Sequence, residues 1–234
     1  MSYNAVLGNI DRKTSRNNTT KIEISDVEFF DMLELILSLK DKETNQHTKR
    51  TRRYTRILLH RMLREDKFKA TLIIIDHESI AEIMAIHDIG KIGIGDDILL
   101  KPGRLTPEEF DEVKTHVDVG LNILDSILVG RKTENAAIKN CYDIIRCHHE
   151  RWDGSGYPNG LKGKEIPLSA RIAAISDVYD ALTSKRSYKD ARSHIEAVQI
   201  ITSGAGSHFD PDIVRCFLGV EQNFQLLLEN PIRE

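Results

Sequence analysis

From Ser25 onward the apolar residues recur at intervals of three and four, the spacing that lines them along one stripe of an α-helix. Polar start signals punctuate the pattern. Ser25-Asp26-Val27-Glu28 reads as a capping box, followed by Phe29, Met32, Leu33 and Ile36 as an apolar face. Thr106-Pro107-Glu108-Glu109 combines an N-cap, a proline at the first helical position and a glutamate three residues after the cap. Ser193 to Glu196 repeats the box, and Asp210-Pro211 opens one more helix. The pattern predicts helices near 25–41, 45–65, 77–91, 107–128, 133–149, 168–184, 194–203 and 211–218, and therefore an all-α fold. The one strand-like run, Thr71 to Ile75, is β-branched but too short, and without an obvious partner, to found a sheet.

Two segments break the helical pattern. Ile92 to Arg104 holds three glycines and Pro102, and Glu150 to Pro167 holds Gly154, Gly156, Gly160 and Gly163 with Pro158 and Pro167. Such loops can be tightly shaped, because proline fixes φ and glycine takes conformations closed to other residues. Residues 1–24 read as a polar tail and 25–234 as one domain, the division that 234 residues support. The balance of 33 Lys+Arg against 36 Asp+Glu, net −3, excludes a binder of polymeric nucleic acid and leaves any anionic ligand to a local site. No apolar run reaches the ~20 residues that cross a bilayer, so no membrane association is expected. Three cysteines without a CxxC point to a reducing, cytoplasmic setting.

The chemistry lies in the histidines. His87 precedes Asp88, His148 precedes His149, His116 lies between them, and Asp177 lies on the helix that follows. Imidazole and carboxylate without thiolate suit iron, manganese or zinc at a catalytic rather than a structural site. Adjacent ligands embrace one ion awkwardly but suit two ions ~3.5–4 Å apart, which a carboxylate such as Asp88 can bridge. Each histidine taken singly reads more simply as a core or surface residue; together, beside glycine-rich loops, they argue for a site.

His87-Asp88-Ile89-Gly90-Lys91, then His116, then His148-His149-Glu150-Arg151-Trp152-Asp153-Gly154-Ser155-Gly156-Tyr157-Pro158, then Ser176-Asp177-Val178-Tyr179-Asp180-Ala181-Leu182 closely resemble the HD-GYP family of the HD phosphohydrolase superfamily, over roughly residues 43–218. The resemblance implies an HD-domain helical bundle with a multinuclear metal centre. It implies a bacterial phosphodiesterase that hydrolyses cyclic di-GMP to pGpG, GMP or both. The ligands it carries over are His87, Asp88, His116, His148, His149 and Asp177, with Asp88 as the bridge and iron or manganese as the usual metal. In members with three metals a Glu-x-x-x-His pair supplies further ligands, and Glu43 and His47 match it. The alternative for that pair is an inert surface contact beside the basic run Lys49 to Arg56. Asp66 to Glu78 looks like an insertion relative to the family.

Lys91, three residues beyond Asp88, can add positive charge at the scissile phosphate, so Asp88 and Lys91 are the catalytic candidates. Arg186 and Lys189 fall in a stretch resembling the family's phosphate-binding segment, and Tyr157 either hydrogen-bonds the ligand or simply packs. Trp152 reads as a loop anchor, and Asp153 and Asp180 as either ligand-orienting or turn-capping residues. Expected partners are cyclic di-GMP and, through the GYP region, diguanylate cyclases. The helix at 25–40 is expected to pack on the core, with a homodimer seam as the alternative. A slow cyclic di-GMP receptor and a hydrolase of another cyclic dinucleotide are the competing functions.

Overall fold

The caps expected at Thr106, Ser193 and Asp210 all form. In a computed structural model, Thr106 Oγ1 accepts from the backbone N–H of Glu109 while the Glu109 carboxylate accepts from that of Thr106. Ser193 and Glu196 close the same reciprocal pair, and Asp210 accepts from Asp212 N–H at 2.9 Å. The structure describes residues 26–40, 42–128, 135–185 and 190–230, with the backbone alone at 26, 27 and 42–45. The helices run α1 (Asp26–Lys40), α2 (Lys42–Met62), α3 (Asp66–Ile74), α4 (His77–Ile83), α5 (Asp96–Leu99), α6 (Pro107–Lys114), α7 (His116–Ile127), α8 (Ala136–Cys147), α9 (Leu168–Thr183), α10 (His194–Ser203), α11 (Pro211–Leu218) and α12 (Glu221–Glu229). Two 3-10 turns lie at Ile89–Gly93 and Gly163–Glu165, and the described residues contain no strand. The expected polar tail and the Ser25 cap lie outside the described residues.

As expected, the strand-like run Thr71 to Ile75 founds no sheet; it forms the end of a helix that was not expected, α3, whose Phe68 and Leu72, four residues apart, are buried while Ile73 and Ile74 face outward. Helical spacing of the buried pair thus overrides β-branched propensity. The helix expected over 77–91 ends at Ile83, and the helix expected over 107–128 divides at Thr115. The apolar face of α1 is Phe29, Phe30, Leu33 and Leu37; Met32 and Ile36, expected on that face, are about half exposed. α12 was not expected, although Phe224 is fully buried and stacks on Tyr54 of α2 with centroids 4.6 Å apart.

At the centre, α9 buries Ile172, Ala173, Ile175 and Tyr179. It packs against α2, α8, α10 and α11. α2 is polar overall, yet it buries Tyr54, Leu58, Leu59 and Met62 along one side and three threonines beside them. Its basic run is not a solvated stripe. Arg52 pairs with Glu34 of α1 at 2.8 Å and with Glu82 of α4 at 3.4 Å, and Arg56 also pairs with Glu82. Thr48 donates to the other oxygen of Glu34 at 2.8 Å, so α1 is held by polar contacts as well as by its apolar face. No helix among the described residues is long and apolar enough to cross a membrane.

One close approach fixes the geometry around the first histidine pair. Gly90, in the 3-10 turn, lies against the start of α7, where a Cβ would fall 1.8 Å from the His116 carbonyl oxygen and 2.5 Å from Gly120 N. Both obstacles are backbone, so no rotamer change relieves the collision. Gly90→Ala is therefore expected to destabilise the fold by about 2–3 kcal/mol, as overpacking does, and to push His116 away from Asp88. Urea denaturation checks this, and an unchanged midpoint would show that the two backbones are free to separate.

Candidate metal centre

The three most deeply buried histidines of the site stand at helix ends, and each is oriented through its Nδ1. His87 Nδ1 is 2.7 Å from the Met84 carbonyl, His116 Nδ1 2.7 Å from Val113 and His148 Nδ1 2.9 Å from Ile144. A carbonyl can only accept, so each Nδ1 carries the proton and each Nε2 faces inward. His87 and Asp88 lie in the tight turns that follow α4, where successive i→i+3 backbone bonds replace the helix ladder. In such turns side chains three apart eclipse one another, which brings Lys91 Nζ to 2.5 Å from Asp88 Oδ2.

The inward atoms form two adjoining groups. Asp88, His116, His148 and His149 supply one; His47, His87 and Asp177 supply the other. Asp88 faces both: Oδ1 is 3.4 Å from His116 Nε2 and 3.7 Å from His148 Nε2, and Oδ2 is 3.2 Å from His87 Nε2. Asp177 Oδ1 lies 3.5 Å from His47 Nε2 and 3.7 Å from His87 Nε2. His87 Nε2, Asp88 Oδ1, His116 Nε2 and His148 Nε2 are buried and take no hydrogen bond. A buried polar atom left unpaired costs about 1–3 kcal/mol. Inward imidazole and carboxylate atoms that converge in this way fit divalent metal ions, which this nitrogen and oxygen donor set is suited to hold.

Burial pushes His116 down to about 4 and His149 well below the usual imidazole range, so both are neutral, as metal ligands must be. Burial opposes charge on Asp88 as well, but Lys91 and His87 hold its carboxyl well below the usual range. His87 is different: burial lowers it, yet Asp88 and Asp177 outweigh burial and raise it to about 10. Between two carboxylates, a proton on His87 takes the place that a cation would fill.

His47 is oriented by its own carboxylate. Its Nδ1 lies 2.8 Å from Asp180 Oδ2, and Asp180 also accepts from Arg50 Nε at 2.5 Å, Arg50 Nη2 at 3.0 Å and Ser184 Oγ at 3.2 Å. Burial disfavours the charged form of Asp180, but His47 and Arg50 keep its carboxyl below the ordinary range. Asp180 sits one turn beyond Asp177 on α9, so one helix face supplies an inward oxygen and the anchor of a neighbouring imidazole. Arg50 was legible only as part of the basic run Lys49 to Arg56, read as inert, and Ser184 only as the start of the stretch that holds Arg186 and Lys189.

The glycine-rich loop closes the other side. Gly156 runs against the chain that leaves α8, where a Cβ would lie 2.4 Å from Arg151 N and 2.6 Å from the His149 oxygen. This approach lays the Tyr157 ring on His149, centroids 4.7 Å apart. Glu150, also missed in the sequence, is buried beneath the loop and accepts from Asn159 N–H at 2.7 Å and Leu161 N–H at 3.0 Å. Trp152 lies in the loop with its backbone N–H donating to the His208 carbonyl and the Arg171 guanidinium 5.8 Å from its ring. Asp153 accepts from Ser155 N–H and Oγ–H and so shapes a turn. Glu43 belongs to α2, four residues before His47, and its side chain lies outside the described residues, as do Arg186 and Lys189 entirely.

Two outcomes follow for metal binding. Asp180→Ala should weaken the metal affinity of the His47 group by about 10- to 100-fold, measured by equilibrium titration; an unchanged affinity would show that His47 needs no anchor. Because metal displaces the proton that the carboxylates hold on His87 below about pH 10, binding at pH 8 should release a proton. Calorimetric heats that do not vary with the ionisation enthalpy of the buffer would count against this.

The HD domain family matches residues 31–213 of the chain. A probable cyclic di-GMP phosphodiesterase of Vibrio cholerae is 46% identical over 185 residues, which are 79% of this chain and 42% of that protein. A cyclic di-GMP phosphodiesterase of Thermotoga maritima is 38% identical over 210 residues, 90% of this chain and 53% of that protein. The chain thus spans about half or less of the length of these curated relatives. A crystal structure of a cyclic GMP-AMP specific phosphodiesterase from V. cholerae superposes with a TM-score of 0.51 at 20% identity, covering 88% of this chain and 49% of that one, which bears on the fold alone. By the extent of the family match, and with paired histidines and aspartates converging in a helical bundle, this chain is a member of the HD domain family.

Proposed function

We propose that the chain is a metal-dependent phosphodiesterase that hydrolyses cyclic di-GMP to pGpG, GMP or both. The observation that carries this reading is the pair of ligand groups joined by Asp88, whose two oxygens face different imidazoles. We take Asp88 as the bridge and His47, with Glu43 beside it on α2, as the further ligands of a third ion, iron or manganese in each case. The names of the V. cholerae and T. maritima relatives support the substrate. The buried thiols of Cys141, Cys147 and Cys216 fit the reducing cytoplasm of a bacterium.

When bound, the ions supply Lewis-acid polarisation of the phosphodiester and a water of lowered pKa. The chain's own part is positioning and charge. The anchored histidines hold Nε2 inward, and the depressed Asp88 and Asp177 carboxyls stay ionised. Lys91, already beside Asp88 Oδ2, stands where its ammonium offsets charge developing on phosphate oxygens, an effect strongest in a preorganised site. Arg186 and Lys189 grip the substrate phosphates. Tyr157, fixed on His149, borders the place of reaction.

The test is anaerobic purification, metal quantification, and turnover of cyclic di-GMP with product identification after loading ferrous iron or manganese. Conversion to pGpG or GMP with two or three ions per chain supports the reading, while tight binding without turnover makes the chain a receptor. Asp88→Ala is expected to lose metal and activity together, and retention of both refutes the bridge. Glu43→Ala should lower the metal count without unfolding the protein, and an unchanged count makes Glu43–His47 an ordinary helix pair.

A further inference from the structure

Beyond the ligand set, an aromatic wall extends outward from His149. Phe110 of α6 meets Tyr157 edge-on, with centroids 6.4 Å apart and planes at 83°, and Tyr157 in turn stacks on His149. The Lys114 ammonium lies 4.8 Å from the centroid of Phe110 and 5.7 Å from that of Tyr157. Two ring-to-ring steps therefore connect a ligand imidazole to an aromatic side chain that remains 45% exposed.

α6 contributes nothing to the core, since none of its residues is buried. It is nevertheless firmly fixed. The Thr106–Glu109 capping box closes its start, Lys101 Nζ reaches both Glu109 oxygens at 2.6 and 2.7 Å, and Lys114 pairs with Asp111 at 2.6 Å. An eight-residue helix that buries no side chain but is capped at its start thus presents Phe110 to Tyr157, the ring that stacks on His149. Rigid presentation of an exposed ring suits binding, because little ordering remains when a ligand arrives.

We propose that the exposed Phe110 ring is a stacking platform for a purine base of the nucleotide substrate, with Tyr157 as the adjoining wall. Every base offers a π-face to an aromatic ring. The inference rests on the phosphodiesterase reading and extends it to the base.

The experiment compares F110A, F110L and F110W with the unmodified, metal-loaded chain. The readouts are KM and kcat for cyclic di-GMP, metal content, and inhibition by inorganic phosphate, which has no base. F110A and F110L are expected to raise KM by about 10-fold, the scale of one lost base–aromatic stack. F110W should restore KM, and kcat, metal content and phosphate inhibition should hold. F110L at the unmodified KM would mean that Phe110 offers only apolar bulk, and loss of metal in F110A would mean that it supports the ligands; either overturns the platform. If the unmodified chain does not turn over cyclic di-GMP, the phosphodiesterase reading fails by itself. Equilibrium binding of cyclic di-GMP to the same variants then decides the platform, with about 10-fold weaker binding to F110A and F110L upholding it and equal affinity overturning it.

Discussion

Buried imidazole and carboxylate atoms that converge on one place are the constraint on which the rest of the structure depends. Each of the four unpaired atoms contributed by His87, Asp88, His116 and His148 costs free energy until a cation reaches it. The fold must hold them against that cost, and it does so from helix ends. Met84, Val113 and Ile144 lie in or just past the last turns of α4, α6 and α8. Carbonyls there have lone pairs that the helix ladder does not use up. By accepting from the Nδ1–H groups, these carbonyls orient all three rings and aim the three Nε2 atoms at a common place.

The same requirement explains where the sequence pattern misleads. Apolar periodicity runs unbroken from His77 to Lys91 and from Pro107 to Leu128, and a single helix is the natural reading of each. A continuous helix would commit the ladder carbonyls and spread neighbouring ligands around its axis. The chain instead turns after Ile83 and interrupts at Thr115, so that His87 and His116 begin new backbone directions. Caps, the ligand residue types and the all-α class were legible because they are local or compositional. Asp180 was legible as a ligand-orienting or turn-capping residue, but its partner was not, because it finds His47 across 133 residues and only the packing of α9 on α2 brings them together. α12 was missed for the same reason: Phe224 is a single aromatic in a polar stretch, and its value appears only beside Tyr54, Tyr179 and Phe217.

Charge is placed with the same economy. The basic run of α2 would be inert on a solvated face, yet Arg50 serves Asp180 while Arg52 and Arg56 serve Glu34 and Glu82. Buried carboxylates keep their charge only with such company. Lys91 does for Asp88 what Arg50 does for Asp180. Both carboxylates are nearly enclosed, at 7% and 1% exposed, and both cations reach them from partly open positions, at 28% and 23%.

α9 therefore carries two kinds of control three residues apart. Asp177 offers its oxygen to the ligand group directly, and Asp180 acts through the imidazole of a different helix. Their spacing puts them on one face, so a rotation or slide of α9 against α2 moves both at once. What resists that motion is the aromatic packing behind them. Tyr54 of α2 meets Tyr179 of α9 edge-on at 5.0 Å, and Phe224 closes on both rings. Aromatic pairs of this kind resist sliding because edge and face positions are not interchangeable. The register of the ligands is thus set by residues that touch no ligand, and the core behind the site belongs to its mechanism as much as the histidines do.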